Sequence, residues 1–326
     1  MKSTPPASTT VFEARPKLPQ LAADDSVGAS ACSVIAFHLE SLKREQELAV
    51  SGDAEALHQM RVAIRKLRAA LRLFAAVLPP SIYSPAQRDL AWAGRSIGSV
   101  RDIDVIAQTI KAETVHLEGF FKSALAPMEA EIREQRAAAI AATVAMLDAP
   151  RYRNLLLRLE TISAVGSTRN SKLGDIAPAM VAPMIDAVLR ASRKIDSDAA
   201  AEDLHALRIR VKRLRYGLEP LPYQAGKSLS HNQRRLARLQ DLLGWHQDVV
   251  MSIEWLRSYA EDSNRSAMTL MAVGALIHSL GGRRQRLARV AAERSDKLDK
   301  IGARAILALN RSPPPPPERN SARRTK

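Results

Sequence analysis

The chain has 326 residues, 46% of them hydrophobic and 4% aromatic, enough apolar material for a sizeable core. Forty-nine Lys and Arg stand against 34 Asp and Glu, a net charge of +15 with a pI near 10.3, so the expected partners are polyanions: nucleic acid, an anionic lipid surface or polyphosphate. The single cysteine, Cys32, excludes an intrachain disulfide and a thiolate metal cluster, and fits a reducing cytoplasm.

Residues 1–27 carry Pro5, Pro6, Pro16 and Pro19 among Ser and Thr and no apolar stretch, so a disordered tail without a secretory signal is expected. Helical patterning then predicts segments near 29–50, 54–78, 85–112, 118–147 and 150–163. A linker rich in Gly, Ser, Thr and Asn covers 164–175. A second set is predicted near 177–195, 199–219, 229–260, 265–280 and 283–310. Asp53 and Asp198 are the expected N-caps of the second helix in each set, and Pro79–Pro80 and Pro220–Pro222 end those helices. Residues 312–326, with the run Pro313 to Pro317, read as a disordered basic tail. The longest nearly apolar run, Ala137 to Leu147, is about half of a membrane span, so a soluble protein with no membrane partner is expected.

The two sets correspond. His58-Gln-Met-Arg-Val-Ala-Ile-Arg-Lys-Leu-Arg68 aligns with His205-Ala-Leu-Arg-Ile-Arg-Val-Lys-Arg-Leu-Arg215 at an offset of 147. Farther on, Ile97-Gly98-Ser-Val-Arg-Asp102 aligns with Leu243-Gly244-Trp-His-Gln-Asp248 at an offset of 146. Two motifs in the same order and at nearly one offset indicate internal duplication, with repeat one about 28–163 and repeat two about 176–311. The fold class expected is all-α, two helical bundles related by a pseudo-two-fold axis.

In the first repeat helix Leu57, Met60, Ile64, Leu67 and Leu71 form a core seam, and each is followed at once by His58, Arg61, Arg65, Arg68 or Arg72. The second repeat places His205, Arg208, Lys212 and Arg215 after Leu204, Leu207, Val211 and Leu214. An ordinary solvated face mixes signs, yet residues 56–88 contain no Asp or Glu. The stripe also flanks the seam instead of opposing it, which puts the charged heads at the rim of a helix–helix interface. Arginine offers a planar fork for phosphate oxygens. From His58 to Arg72 the row spans roughly 21 Å at 1.5 Å per residue, a match for an extended, repeating anion. Sparse aromatics argue against single-stranded nucleic acid, whose binders supply stacking platforms.

These residues resemble the CHAD family, the conserved-histidine α-helical domain. The matching marks are His-x-x-Arg-(x)3-Arg/Lys-x-Leu-Arg in both halves, Arg101-Asp-Ile-Asp104-Val105, and Leu239-Gln-Asp-Leu-Leu-Gly244 with Asp248, over about residues 28–310. The resemblance implies two four-helix bundles around a basic central cavity that binds inorganic polyphosphate, and an association with polyphosphate granules for some members. It implies ligand contacts at His58, Arg61, Arg65 and Arg68, with His205, Arg208, Lys212 and Arg215. Arg72 has no basic counterpart, because Glu219 stands there. Many relatives carry an N-terminal CYTH triphosphatase domain marked by Glu-x-Glu-x-Lys. Here Glu13-Ala-Arg-Pro-Lys17 replaces the second Glu with Arg15, so no triphosphatase activity is expected.

The remaining motifs carry less. Asp102-Ile-Asp104 suggests a metal-binding pair, but residues two apart on a helix do not share a face, and only Asp102 recurs, as Asp248. Both aspartates are expected to pair with basic residues of the repeat helices and orient them. Gly226-Lys-Ser228 lacks the glycine a phosphate-binding loop needs at Leu221. His58 and His205 are expected in the first turns of their helices, where an anion is welcome; His231 and His246 read as structural. Arg235, Arg238, Arg283, Arg284 and Arg286 are candidates to extend the basic surface. The expectation is a cytoplasmic polyphosphate binder without catalytic group, metal or cofactor, with nucleic-acid binding as the alternative and polyphosphate processing as the less favoured one.

Overall fold

The computed structural model describes residues 17–115, 117, 119–165, 170–221, 227–262 and 264–298. They form eleven α-helices and no named strand. These are α1 (Val27–Arg44), α2 (Gln46–Val50), α3 (Ala54–Leu73), α4 (Pro80–Thr114), α5 (Gly119–Ala124), α6 (Ala126–Asp148), α7 (Pro150–Val165), α8 (Leu173–Ser192), α9 (Ala201–Leu218), α10 (Lys227–Ala260) and α11 (Ala267–Ser295). The parts of the expected tails at 1–16 and 312–326, and the end of the last expected helix, lie outside the described residues.

The start of α3 follows from local chemistry. Gly52, at φ 80°, closes α2: its N–H and that of Asp53 donate to Ala49 O and Leu48 O, a turn that favours a residue without Cβ. Asp53 Oδ1 then accepts from Ala56 N at 2.7 Å and caps α3. The matching expectation for Asp198 is corrected. Helix α9 begins after Ala200, no side chain caps it, and Asp198 instead joins a local turn, its N–H donating to Asp196 Oδ1 at 3.0 Å.

Other boundaries moved for identifiable reasons. The predicted helix at 118–147 divides at Leu125, because Pro127 lacks an N–H and fits the first turn of α6. The predicted pair 265–280 and 283–310 is one helix through Gly281 and Gly282. Two glycines cost only about 1 kcal/mol each against alanine, and α11 is held on both sides of them by buried Leu276, Leu280 and Ala291. The end of the expected N-terminal tail is tied down: Val27 N donates to Ser171 O, Leu173 N to Asp25 O and Gly174 N to Ala23 O, at 2.8–3.0 Å. Helix α8 accordingly starts at Leu173, inside the expected linker.

The seam predicted for α3 is the core. Leu57, Met60, Ile64, Leu67 and Leu71 are all at most 3% exposed, as are Leu204, Leu207 and Val211 of α9. One apolar cluster joins α1, α3, α7, α8 and α9 with the first halves of α4 and α10. A second joins Ile106 and Ile110 of α4, Met128 and Ile132 of α6, Val249, Ile253 and Leu256 of α10, and Leu276 and Leu280 of α11. Each cluster draws on both halves of the sequence, and the long helices α4 and α10 run through both. Gly94 brings α4 close to α3: a Cβ there would lie 3.2 Å from Ile64 Cγ2. The outcome that matters for function is that α3 packs against α9, with the stripes of both helices at the shared edge.

Candidate functional site

The basic residues of α3 and α9 meet in one neighbourhood. Arg65 lies close enough to Arg61, Arg208 and Arg215 to feel their charge, and burial together with these cations holds its guanidinium below the usual arginine range. Arg208 is lowered first by burial, against the nearby Asp248, with Arg61 adding to the effect. Lys212 is pushed down to about 7, chiefly by burial and then by Arg208, Arg65 and Arg61. Tyr216 sits among them: the Arg65 and Arg215 guanidinium carbons lie 6.0 and 5.3 Å from its ring centre.

The two aspartates stand beside this group. Asp102 Oδ1 lies 3.2 Å from Arg61 Nη2 across the α3–α4 contact. Asp248, on α10, is raised by burial, an effect that outweighs the attraction of Arg208, Arg101 and Arg61. Asp104 turns elsewhere, to Arg136 Nε at 2.7 Å. Among the described residues no three His, Cys, Asp or Glu side chains gather to hold a metal. The Nε atoms of Arg65, Arg68 and Arg208 are buried without a hydrogen-bond partner among the protein atoms.

The rest of the predicted row is spread out. Arg68 and Arg72 face a different set: burial lowers both, followed by Arg213 and Arg95 for Arg68, and by Arg68 and Arg213 for Arg72, which falls to about 10. His58 and His205 are each the fifth residue of their helix, beyond the first turn expected for them, and Glu55 of α3 and Glu202 and Asp203 of α9 occupy those first turns. His58 is half-buried and lowered by burial and Arg101. His205 is exposed, with Nδ1 2.6 Å from Gln247 Oε1.

Sequence reasoning missed Arg101, Arg95, Arg213 and Tyr216. Arg101 was within the motif read for its aspartates. Arg213 and Lys66 share an offset of 147, which was a signal available in the sequence. Lys66 Nζ meets Glu219 Oε1 at 2.6 Å, and this ion pair joins α3 to the end of α9. Of the further basic candidates, Arg283 is paired with Glu113 at 3.1 Å. Arg235 and Arg238 line a hollow of about 180 Å³ with Arg294 and Lys297. Arg284 lies by the buried His246, which burial and then Arg284 push down to about 4. The His231 side chain lies outside the described residues.

An all-helical chain with paired basic helices, Arg101-Asp-Ile-Asp104 beside the first and Asp248 beside the second, is of a recognisable class. The CHAD domain model matches residues 33–257, and the chain belongs to that family. It superposes on the crystal structure of the CHAD domain from the plant Ricinus communis with a TM-score of 0.68 and 27% identity, covering 92% of this chain and 98% of that one. PptA from Streptomyces chartreusis shares the fold, with a TM-score of 0.69 at 14% identity over 84% of this chain and 99% of that one. Uncharacterized protein MT2285 of Mycobacterium tuberculosis (strain CDC 1551 / Oshkosh) is 28% identical over 292 residues, which is 79% of this chain and 51% of that protein. The chain thus spans about half the length of the curated relatives it matches. No helix among the described residues is long and apolar enough to cross a membrane.

Proposed function

We propose that the protein binds inorganic polyphosphate, without processing it, in a basic cavity between α3 and α9, and that such binding can bring it to polyphosphate granules in the cytoplasm. The observation that carries this reading is the convergence of Arg61, Arg65, Arg208, Lys212 and Arg215 on one half-buried neighbourhood, with Asp102 and Asp248 the carboxylates that act on them among the described residues. Like charges brought together at reduced screening repel, so an arrangement of this kind is stable only at a cost that an anion relieves. Buried, unpaired guanidinium nitrogens are ready donors for phosphate oxygens. His58, Arg68 and His205 extend the row, and Arg72 stands at its edge. The near-constant offset of the two motifs supports duplication as the origin of the paired stripes, and with it a pseudo-two-fold arrangement of the halves.

The test is a calorimetric titration of the whole chain with phosphate oligomers of increasing length. A row of donors engages a long chain at many points and orthophosphate at one or two, so affinity should climb with length and then level off. Equal affinity per site for orthophosphate and long chains would sink the linear-polyanion reading. Competition with tRNA and duplex DNA separates the nucleic-acid alternative: polyphosphate should displace either at far lower phosphate concentration than the reverse. Release of orthophosphate from long polyphosphate, lost on Asp102→Ala or Asp248→Ala, would overturn the non-enzymatic reading.

A further inference from the structure

A second basic space lies at the Arg72 end of the α3 row, against α8. It is a cavity of about 600 Å³ between α3, α8 and α9. Arg72 of α3, Arg190 of α8, Lys194 just past the end of α8, and Arg210 and Arg213 of α9 line it, together with Asp203. Among the described residues none of the five cations has a carboxylate oxygen within ion-pair distance; Arg210 is held by its own helix, donating from Nη1 to Ala206 O at 3.0 Å. Arg72 and Arg210 are half-buried, whereas Arg190, Lys194 and Arg213 are exposed. Five cations around one carboxylate make this lining strongly positive.

The lining also has an apolar part. Ala69, Pro183, Met184, Ala187, Ala191 and Ala206 form it. The space exists because four of these are alanine, where a leucine would fill it. It is shaped further by Gly217, where a Cβ would lie 2.9 Å from Met184 Sδ. A lining that mixes cations with apolar side chains is poorly suited to the two simplest anions. Orthophosphate would leave the apolar side chains uncovered and most of the volume empty. A linear inorganic chain has no apolar part to place there.

We propose that this cavity is a second anion site, separate from the α3/α9 cluster, and that it takes an organic di- or triphosphate. The phosphates lie against Arg72, Arg190, Lys194 and Arg213, and the organic body covers Met184, Ala187 and Ala191. Four or five cations against one carboxylate match the two to four negative charges of such a ligand. The volume is within the range of pockets that enclose a molecule of nucleotide size, about 300–1,000 Å³. Arginine forks hold neighbouring phosphate oxygens two at a time, and Lys194 supplies a mobile point charge. Burial gives Arg72 an added reason to accept an anion, since it and the neighbouring Arg68 and Arg213 already hold its guanidinium below the usual range. This proposal does not depend on polyphosphate binding at the other cluster.

The experiment is calorimetry on the full chain at about 0.15 M salt, where charges more than about 8 Å apart are largely screened. The probes are ATP, ADP, adenosine and orthophosphate, with long-chain polyphosphate in parallel. ATP and ADP should bind roughly tenfold or more tightly than adenosine and than orthophosphate. Arg190→Glu/Lys194→Glu, at the outer wall and outside the polyphosphate row, should weaken ATP by at least roughly tenfold and leave polyphosphate within about threefold. Ala187→Trp tests the same site without changing charge, and should exclude ATP by filling the cavity. The proposal is overturned if ATP binds no better than orthophosphate, or if both variants bind ATP as the wild type does. It is also overturned if Arg65→Ala/Lys212→Ala abolishes ATP binding while Arg190→Glu/Lys194→Glu retains it, which would put ATP on the central cluster. A wild-type protein that binds ATP but not polyphosphate would remove the proposed function and leave this site standing.

Discussion

Arginines on the outer helices and arginines between α3 and α9 live under opposite conditions. On the outside Asp89 takes both Arg151 and Arg158, at 2.8 and 2.6 Å, Asp104 takes Arg136, and Glu113 takes Arg283. Between α3 and α9, Arg65 and Arg208 keep buried nitrogens without partners, and Lys212 is pushed down to about 7. Both groups come from one chain of net charge +15, so overall basicity does not explain the difference. Among the described residues Arg65, Arg208 and Lys212 form no ion pair, although Arg61 meets Asp102 and Lys66 meets Glu219 on the same helices. What sets the proposed site apart is the lack of ion pairs at Arg65, Arg208 and Lys212 more than the number of its cations.

The largest expected effect breaks the comparison at its centre. Arg65→Ala/Lys212→Ala should weaken long-chain polyphosphate by about 100-fold or more, since two hydrogen bonds to charged groups are each worth about 1.5–3 kcal/mol. It should also flatten the fall of affinity with salt. Arg151→Ala/Arg158→Ala, which removes the same charge from the paired region, should change affinity only about twofold. Parallel titrations at several salt concentrations check both, and equal losses in the two variants would abolish the distinction between the regions.

The converse change comes next. Asp89→Ala strands two arginines and should cost about 1.5–3 kcal/mol of stability, measured by denaturant unfolding, with polyphosphate affinity unchanged. Arg68→Ala or Arg215→Ala should leave the unliganded protein as stable or slightly more so, while shrinking the rise in Tm that polyphosphate induces. A large loss of stability in those two variants would mean the cluster is structural.

Lys212 provides a pH signature. Its folded pKa, near 7, lies below its ordinary value, so between these two the unfolded chain holds a proton that the folded one lacks. The penalty for charging it is full below the folded pKa and is relieved as pH rises toward the ordinary lysine range, so unliganded stability gains from this group over that window. A polyanion favours the charged form, and binding at pH 8 should take up roughly one proton. Titrations in buffers of different ionisation enthalpy measure this uptake. Lys212→Arg should keep the affinity and lose the uptake; a variant that still takes up the proton would assign it to another group.

The smallest effect concerns a pair of matched positions. Lys66 and Arg213 are 147 residues apart, as are Arg72 and Glu219. Lys66 and Glu219 form an ion pair, while Arg72 and Arg213 bring two cations together. Glu219→Gln should cost at most about 1 kcal/mol, because the pair is partly exposed. Arg72→Ala should cost nothing measurable by the same unfolding assay. The asymmetry of two sequence-equivalent contacts would vanish if both changes cost the same.

Local sequence carried much of this. Spacings of three and four set the seam Leu57, Met60, Ile64, Leu67 and Leu71, and side-chain geometry on a helix then fixed Arg61, Arg65, Arg68 and Arg72 on a neighbouring face. Asp53 capped α3 as its residue type and position imply, because the capping bond reaches only to Ala56. Asp198 failed as a cap because α9 starts two residues later, with Ala200 at the N-cap position, a shift that residue type alone does not reveal. The continuity of α11 through Gly281 and Gly282 also required knowing that Leu280 and Ala291 would be buried on either side.

Which cations remain free was decided only in three dimensions. Arg61 finds Asp102 on another helix, Lys66 finds Glu219 at the far end of α9, and Arg283 finds Glu113 across the chain. The sequence by itself determined where most helices lie, the buried faces of α3 and α9 and the two basic rows, since those depend on periodicity within one turn or a few. Tertiary structure alone separated Arg65, Arg208 and Lys212 from the paired arginines and set Arg72 and Arg213 around a second cavity. An ion pair depends on distance in space, and burial depends on what packs above a residue; neither is a function of position along a single helix.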